Sequence, residues 1–419
     1  MDTQFKFYKY EDNYLFSLLE YKEFTRVSVE EVKNTKGPIY YLNRFPPINS
    51  RKQFTISNPS LLFMEEEGLN LIRLDEVDYG NKVDKWLLDK IDQREVSCIN
   101  TSYPNWKDLL NKNTKDKWKV NLIALGDVGS TLAIGLRLLG GDCISEIGIY
   151  DRNINRLKRW EHELNQIKDP ADKVTFPKVL TIEEDDLFNC DMFIFCASKG
   201  VPAVGSEVKD VRMVQFQSNS EIISQYAKLA RDKKFKGIFA VVSDPVDLLC
   251  KVAFLESNKD SEGNLDFQGL SSDQIIGYGL GVMNGRAAFY AEKSPDTILF
   301  LKEGRLFGPH GEGLIVADSI ENYNEEISSY LTERTVNANK VVRSFGYKPY
   351  IAPSLSSGAL SIIATIRGDW FYGSTYIREV YMGARCRLMP TGIELEQLKL
   401  PESLFNRIQE TYDRLAGII

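Results

Sequence analysis

The sequence is poor in the residues that build disulfide frameworks and metal sites. Its 419 residues include two histidines and six cysteines, and no two cysteines form a Cys-x-x-Cys pair. Most cysteines lie in apolar runs such as MFIFCAS, which is typical of reduced, buried thiols in a cytoplasmic protein. The acidic clusters have no histidine or cysteine near them in sequence, so we expect no metal site.

Positive charge and long apolar runs are also scarce. The 52 Lys and Arg residues are outnumbered by 59 Asp and Glu, giving a formal net charge of −7 without a dense basic patch. The electric field of a protein with this negative net charge repels phosphate backbones and anionic membranes, so we expect no nucleic-acid partner. No apolar run approaches the length of a membrane span, and the N-terminus is charged and aromatic, unlike a signal peptide. We therefore expect a soluble, cytoplasmic protein with no membrane partner.

Three regions differ in their residue patterns. Residues 1–116 combine short alternating runs, turn signals and one helical pattern, which predicts a small α+β domain of unknown role. In residues 117–280 buried strands alternate with amphipathic helices, which predicts an α/β domain with a doubly wound parallel sheet. Residues 281–419 contain longer helices followed by a meander, and we expect them to form a C-terminal α+β domain.

A glycine-containing turn joins the first strand and helix of the α/β region. It runs Ala124-Leu-Gly126-Asp127-Val128-Gly129. Gly126 allows a pyrophosphate to approach the backbone, Gly129 allows close packing of helix on strand, and the helix N-terminus attracts phosphate. The charge of Asp127 suits a helix N-terminus, and we expect it to face outward. Ala124 replaces the first glycine of the usual fingerprint, so a tight turn that binds nothing is the alternative interpretation.

An acidic residue follows at the end of the second strand. Asp151 lies 22 residues after Gly129 (151 − 129). A carboxylate at this position accepts hydrogen bonds from the adenosine ribose hydroxyls and repels a 2′-phosphate. The combination of strand, turn, helix, strand and carboxylate therefore predicts binding of NAD rather than NADP.

From about residue 119 to its C-terminus the chain resembles the lactate/malate dehydrogenase family. The resemblance is carried, in order, by the motifs ALGDVGST, EIGIYD, CASKGVP, VVSDPVDLL, DQIIGYG and FGPHGEG. It implies a Rossmann-type NAD-binding domain, in which Ala197 and Ser198 also contact the cofactor, and an α+β catalytic domain. It further implies a homo-oligomer. Residues 1–116 have no counterpart in the family and make this chain a divergent member.

The resemblance implies hydride transfer between nicotinamide and a 2-hydroxy or 2-oxo acid. His310, in Gly-Pro-His-Gly-Glu, matches the catalytic histidine, and imidazole is suited to proton exchange near neutral pH. Arg212 lies seven residues before Asn219, the spacing of the family's carbonyl-polarising arginine. Its permanent charge can stabilise a developing alkoxide. The preceding loop, residues 199–211, is expected to act as a lid.

Three positions depart from the family pattern. Asp244 replaces an asparagine that lies near substrate and nicotinamide ribose, and Asn284 falls where an aspartate orients the histidine. Arg286, expected to clamp the substrate carboxylate, lies two residues after that position instead of three. On a helix, this slip rotates a side chain by about 100°. We hypothesise that Asp244 now supplies the carboxylate, that it could bind a cationic group, and that Asn284 only orients His310.

The leading interpretation is an NAD-dependent 2-hydroxyacid dehydrogenase of the lactate/malate type with an altered substrate site. Because the catalytic positions are substituted, a catalytically silent NAD(H)-binding regulatory or interaction protein is the alternative. An imine-reducing, opine-type dehydrogenase is a third possibility, and the sequence leaves all three open.

Overall fold

The computed structural model describes residues 5–74, 77, 79–111, 115–199 and 211–418, with backbone only for residues 80, 111 and 211–214. The loop expected to act as a lid, residues 199–211, lies almost wholly outside the described residues. Within the described ranges, no helix is long and apolar enough to cross a membrane.

The N-terminal segment is a mixed sheet with two short helices. Helix α1 (Val29–Lys33) begins with a capping box in which Ser28 and Glu31 bond each other's backbone N–H groups. The elements are β1 (Lys6–Tyr10), β2 (Asn13–Ser17), β3 (Thr25–Arg26), α1 (Val29–Lys33), β4 (Ile39–Asn43), β5 (Gln53–Thr55), α2 (Lys85–Asp92) and β6 (Val96–Asn100). 3-10 helices cover Pro47–Asn49, Pro59–Leu62, Leu69–Leu71, Gly80–Lys82 and Trp106–Asn111.

The middle segment is a doubly wound parallel sheet, as predicted. Its elements are β7 (Trp118–Ile123), α3 (Asp127–Leu139), β8 (Ile144–Tyr150), α4 (Ile154–Asn165), β9 (Lys178–Thr181), β10 (Met192–Phe195), α5 (Val211–Asp232), β11 (Ile238–Val241), α6 (Val246–Ser257) and β12 (Ile275–Gly277). The strand order is β9-β8-β7-β10-β11-β12, and every neighbouring pair is parallel. This is the order of a dinucleotide-binding Rossmann sheet, whose ligands bind beyond the carboxyl ends of the strands.

The C-terminal segment adds helices and an antiparallel meander. Its elements are α7 (Leu280–Ala291), α8 (Phe300–Glu303), β13 (Arg305–Phe307), β14 (Ile315–Ala317), α9 (Glu325–Ser344), a π-helix (Pro353–Leu360), α10 (Ser361–Arg367), β15 (Phe371–Ile377), β16 (Val380–Met389), β17 (Gly392–Leu395) and α11 (Glu402–Ala416). Helix α10 ends at Gly368, whose left-handed backbone at φ 74° is readily adopted by glycine.

A single sheet connects all three segments. Gly277 of β12 pairs with Ser374 of β15, and Ile393 of β17 pairs with Phe54 of β5, so fifteen of the described strands form one sheet, while β13 and β14 form a separate antiparallel pair. Its order continues from the middle segment through β15-β16-β17 to β5-β6-β4-β2-β1-β3. The N-terminal segment is thus an extension of the sheet and not a detached module. The boundaries at residues 116 and 280 stay predictions.

Polar contacts also attach the N-terminal segment to the remainder of the chain. The side-chain hydroxyls of Thr55 and Thr391 lie 2.9 Å apart, and the Ser272 hydroxyl donates to the Ser50 carbonyl at 3.1 Å. Within the segment, Arg51 and Glu67 form an ion pair at 2.9 Å with side chains 2% and 0% exposed. Because an unpaired charge at this depth would be strongly destabilising, the two side chains must stay paired, and the pair fixes the local geometry.

Candidate functional site

The glycine-containing turn has the open backbone that a dinucleotide phosphate requires. A Cβ on Gly129 would lie 2.1 Å from the Ala124 carbonyl oxygen, whereas a Cβ on Gly126 would have no atom of the described residues within 4 Å. Gly129 therefore allows the close packing, and Gly126 leaves the approach free. No side chain in the described part of the chain caps α3, so the N–H groups of its first turn, including that of Val128, can bind an anion. This geometry fits a pyrophosphate.

Asp127, at the same helix N-terminus, is exposed, and its carboxylate lies 3.1 Å from Lys348 Nζ. This placement agrees with the expectation that Asp127 faces outward. Lys348 precedes the π-helix, so the ion pair joins the turn to the C-terminal segment. The lysine's positive charge offsets a carboxylate that would otherwise repel phosphate.

Asp151 reaches the turn from the end of β8, as the sequence predicted. Its oxygens accept hydrogen bonds from the backbone N–H groups of Leu125 and Asn153, both at 2.8 Å. Arg156 Nη1 lies 3.3 Å from Oδ2, and the aspartate side chain is only 7% exposed. The carboxylate thus holds the turn against the second strand. The sequence reasoning missed Arg156, although a basic residue in the helix that follows the strand was a visible signal.

A buried asparagine joins the loops that follow β10 and β11. Asn219, on α5, is fully buried; its Nδ2 donates to the Asp244 carbonyl at 2.8 Å and to Ser198 Oγ at 3.3 Å. The Ser243 hydroxyl donates to the Ala197 carbonyl at 2.7 Å. These bonds bring Ala197, Ser198 and Asp244 together at the carboxyl edge of the parallel sheet, where a Rossmann-type domain binds its ligand.

Arg212 is located only by its backbone. It lies in α5, seven residues before Asn219, which is close to two helical turns. Its side chain is outside the described part of the chain, so its polarising role stays a prediction.

His310 is held in a fixed orientation by the Gly279 carbonyl and the Asp247 carboxylate. Its ring Nδ1 lies 2.7 Å from the Gly279 carbonyl oxygen, and its backbone N–H donates to Asp247 Oδ2 at 3.0 Å. A Cβ on Gly279 would lie 2.7 Å from the histidine Cβ, so the ring packs directly on the glycine. Because a carbonyl can only accept, Nδ1 carries a proton and Nε2 is the nitrogen that can change protonation.

The Nε2 side of the ring faces Asp244. Nε2 lies 3.8 Å from Asp244 Oδ1, and the two side chains are 16% and 54% exposed. The structure therefore brings together the two predicted residues. The expectation that Asn284 orients the histidine is wrong in this geometry: Asn284 is half-buried on α7, and the Gly279 carbonyl bonds Nδ1 in its place. A main-chain carbonyl has no signature in a sequence motif.

Asp247 is a site residue that the sequence reasoning missed. It is buried in the first turn of α6 and accepts the His310 N–H and, at 2.7 Å, the Ser374 hydroxyl. Burial raises the pKa of the Asp247 carboxyl above its ordinary value, although both hydrogen bonds oppose the shift. The signal was a carboxylate in the first turn of the apolar helix that follows Ser-Asp-Pro.

Arg286 remains near the site despite the one-residue slip. Burial lowers the pKa of its guanidinium, and the nearby charge of Asp244 acts in the opposite direction, so the two side chains lie within electrostatic reach. Its described hydrogen bond is a weak one to Met283 Sδ at 3.4 Å. Among the described residues no carboxylate lies within ion-pair distance of Arg286. A half-buried cation in this state is suited to binding an anionic ligand.

The π-helix packs between the cofactor half and α7. The Ser357 hydroxyl donates to the Gly279 carbonyl at 2.7 Å and accepts the Val282 N–H at 2.8 Å. A Cβ on Gly135 of α3 would lie 2.5 Å from Ala359 Cβ. The Gly279 carbonyl thus bonds both Ser357 and His310, and widened helical turns of this kind frequently occur at functional sites.

Residues 118–265 match the family model described as lactate/malate dehydrogenase, NAD binding domain. The match covers the strands and helices that build the turn, Asp151 and the loops around Asp244. This part of the chain is therefore similar to the NAD-binding domain of lactate/malate dehydrogenases. The model begins at residue 118, so the N-terminal strands lie outside it.

The chain is also similar, at low identity, to whole malate and lactate dehydrogenases. A probable malate dehydrogenase of Campylobacter jejuni is 25% identical over 305 residues, covering 68% of this chain and 94% of that protein. An L-lactate dehydrogenase of Geobacillus thermodenitrificans is 24% identical over 330 residues, covering 72% and 96%. Similarity therefore extends over nearly the whole length of these two relatives.

Solved structures share the fold. A lactate dehydrogenase from a Medee basin deep-sea metagenome library superimposes with a TM-score of 0.59 at 18% identity, covering 72% of this chain and 98% of that one. A minor L-lactate dehydrogenase from Enterococcus mundtii gives a TM-score of 0.58 at 18% identity, with the same coverage. The Rossmann-type α/β fold predicted from the sequence is confirmed.

Proposed function

We propose that the protein is an NAD-dependent oxidoreductase that transfers hydride between nicotinamide and the second carbon of a 2-oxo or 2-hydroxy acid. The observation that carries the proposal is the arrangement around His310. Among the described residues Nε2 has no main-chain partner and Arg286 has no ion-pair partner; Nε2 faces Asp244 at 3.8 Å, and Arg286 lies near Asp244. A proton-exchanging group thus stands beside a cation that can bind a carboxylate.

Each side chain of the site has a separate role in the proposed reaction. The Nδ1–H of His310 donates to Gly279 and fixes the ring, so that Nε2 exchanges a proton with the substrate oxygen. Arg286 binds the substrate carboxylate, since a guanidinium can donate two parallel hydrogen bonds to it. Arg212 polarises the carbonyl, in keeping with the family resemblance.

The cofactor end follows from the turn and the second strand. The first-turn N–H groups of α3 bind the pyrophosphate, Asp151 favours NAD over NADP, and Ala197 and Ser198 line the site after β10. When bound, the nicotinamide supplies or accepts the hydride. The homo-oligomeric state and the cytoplasmic location expected from the sequence stay predictions.

The chain's two histidines provide a matched test. NADH and NADPH are titrated by fluorescence, and NADH oxidation is then measured with a panel of 2-oxo acids. His310→Ala should lower kcat by about 10²–10⁴-fold, the usual contribution of a general acid, with NADH binding retained. His162→Ala, on the exposed face of α4, should change neither quantity. Arg286→Ala should mainly raise KM.

NADH binding without catalysis would contradict the proposed function. Tight NADH binding with no turnover of any 2-oxo acid, unchanged by His310→Ala, would support the alternative of a catalytically silent NAD(H)-binding protein.

A further inference from the structure

We propose that this site also reduces the protonated imine that a 2-oxo acid forms with ammonia or a primary amine, giving a 2-amino acid. The inference rests on the proposed function above, because it uses the same hydride transfer and the same His310. It differs in the group at the reacting carbon, which is a nitrogen that carries N–H donors and positive charge.

Two hydrogen-bond acceptors face the reacting group. Nδ1–H of His310 is committed to the Gly279 carbonyl, so the neutral ring presents a lone pair at Nε2. Asp244 Oδ1, an ionised acceptor, lies 3.8 Å from that nitrogen. A ketone oxygen has only lone pairs to offer and would develop negative charge next to this carboxylate. A C=NH2⁺ group has two N–H donors and matches both acceptors.

The surrounding charges favour the same substrate. The Asp244 side chain is 54% exposed, so it can be approached by a ligand. The charged side chain that acts on it from α7 is Arg286, and a substrate carboxylate would pair with that guanidinium. Buried Asp247 is already occupied by the His310 N–H and the Ser374 hydroxyl. A 2-imino acid places its carboxylate at Arg286 and its cationic nitrogen at Asp244, which leaves neither charge unpaired.

The reaction balances without a further reductant. The 2-oxo acid and ammonium condense to the C=NH2⁺ form with loss of water. Hydride from NADH then forms the new C–H bond, the π electron pair moves to nitrogen, and a neutral amine and NAD⁺ result. In the reverse direction His310 Nε2 takes a proton from the ammonium group, and Asp244 stabilises the cation that forms as hydride leaves.

The test compares NADH oxidation with pyruvate, oxaloacetate, ammonium chloride and methylamine, singly and in 2-oxo acid–amine pairs, with the amino acid product identified by mass spectrometry. We expect amine to raise the rate with a 2-oxo acid at least tenfold. Asp244→Asn should abolish this increase, and Asp244→Glu should retain part of it. Asp232→Asn makes the same charge change at an exposed position at the end of α5, and it should have no effect.

Binding gives a second readout that does not depend on turnover. In calorimetric titration of the NADH-loaded protein with alanine, Asp244→Asn should weaken binding at least tenfold, and Asp232→Asn should not. Equal rates with and without amine, together with unchanged alanine binding in Asp244→Asn, would overturn the imine inference and leave the 2-oxo acid reaction in place. Failure of every mixture to oxidise bound NADH would overturn both.

Discussion

Asp247 offers the sharpest test of how the site is held together. Its carboxylate accepts the backbone N–H of His310 at 3.0 Å and the Ser374 hydroxyl at 2.7 Å, and both the aspartate and the serine are buried. Two substitutions of Asp247 distinguish the effect of losing its hydrogen bonds from the effect of losing its negative charge. Asp247→Asn keeps the shape and an acceptor oxygen, whereas Asp247→Ala removes both acceptors.

The magnitudes follow from counting partners. In Asp247→Ala two donors lose their acceptor, and each unsatisfied buried group costs about 1–3 kcal/mol, so we expect a loss of about 2–6 kcal/mol in the free energy of unfolding. In Asp247→Asn the amide oxygen accepts the His310 N–H, while its NH2 donates to the Ser374 hydroxyl, which can rotate to accept. That variant should lie within about 1 kcal/mol of the native chain.

Urea unfolding and steady-state kinetics measure the two consequences. Displacing the His310 loop by 1 Å is sufficient to reduce turnover about 10²-fold, so Asp247→Ala should lose activity that Asp247→Asn retains. Equal losses in the two variants would refute the reasoning, because the hydrogen bond to His310 would not then be what Asp247 supplies.

We also expect Asp247 to make the free energy of unfolding depend on pH. Burial raises the pKa of Asp247, so the folded chain holds this proton more strongly than the unfolded chain does. Its contribution to stability is therefore present at low pH and is lost as pH rises from the ordinary aspartate value through the raised one. Asp247→Asn should remove this slope from a series of urea unfolding curves, and an unchanged slope would contradict the assignment.

Other substitutions test the cofactor end and the N-terminal segment. Gly129→Ala, whose Cβ would lie 2.1 Å from a carbonyl oxygen, should destabilise by about 1–3 kcal/mol in urea, whereas Gly126→Ala, with no atom of the described ranges within 4 Å, should lose NADH affinity by fluorescence without losing stability. Glu67→Gln breaks a buried ion pair and should cost about 3–5 kcal/mol, while Glu20→Gln at an exposed pair should leave the urea midpoint unchanged. Asp151→Asn should narrow the NADH-over-NADPH affinity ratio about tenfold, since the repelling charge is lost; an unchanged ratio would mean that Asp151 only holds the turn.

The parallel sheet was predictable because its information is local. Each strand–turn–helix unit has its own apolar pattern, and the right-handed crossover then determines how successive units assemble. The joining of the N-terminal strands to this sheet was not predictable. It depends on backbone pairing between Phe54 and Ile393, which are far apart in sequence, and backbone hydrogen bonds place little constraint on the side chains at an edge.

The parts of the site that are formed by side chains could be predicted from sequence motifs. His310 and Asp244 come from motifs, and the structure brings them to 3.8 Å. The role expected for Asn284 is filled by the Gly279 carbonyl, a main-chain group that orients the ring and that residue spacing cannot reveal. For Arg286, burial lowers the pKa of the guanidinium, and the one-residue slip leaves the side chain close enough for the charge of Asp244 to act in the opposite direction.

Two aspartates three residues apart serve the same histidine in opposite ways. Asp247 is buried behind the loop and bonds the backbone of His310, whereas Asp244 is half-exposed and faces the ring nitrogen that meets the substrate. The Asp247 carboxylate therefore determines where the ring lies. The Asp244 carboxylate determines which substrate group, a ketone or an imine, binds beside the ring. It follows that Asp247→Asn should preserve the choice between 2-oxo acid and imine, and Asp244→Asn should change that choice without changing stability. A panel assay and urea unfolding on the two variants side by side measure this contrast. The reverse pattern would show that the exposed carboxylate positions the ring and the buried one selects the substrate.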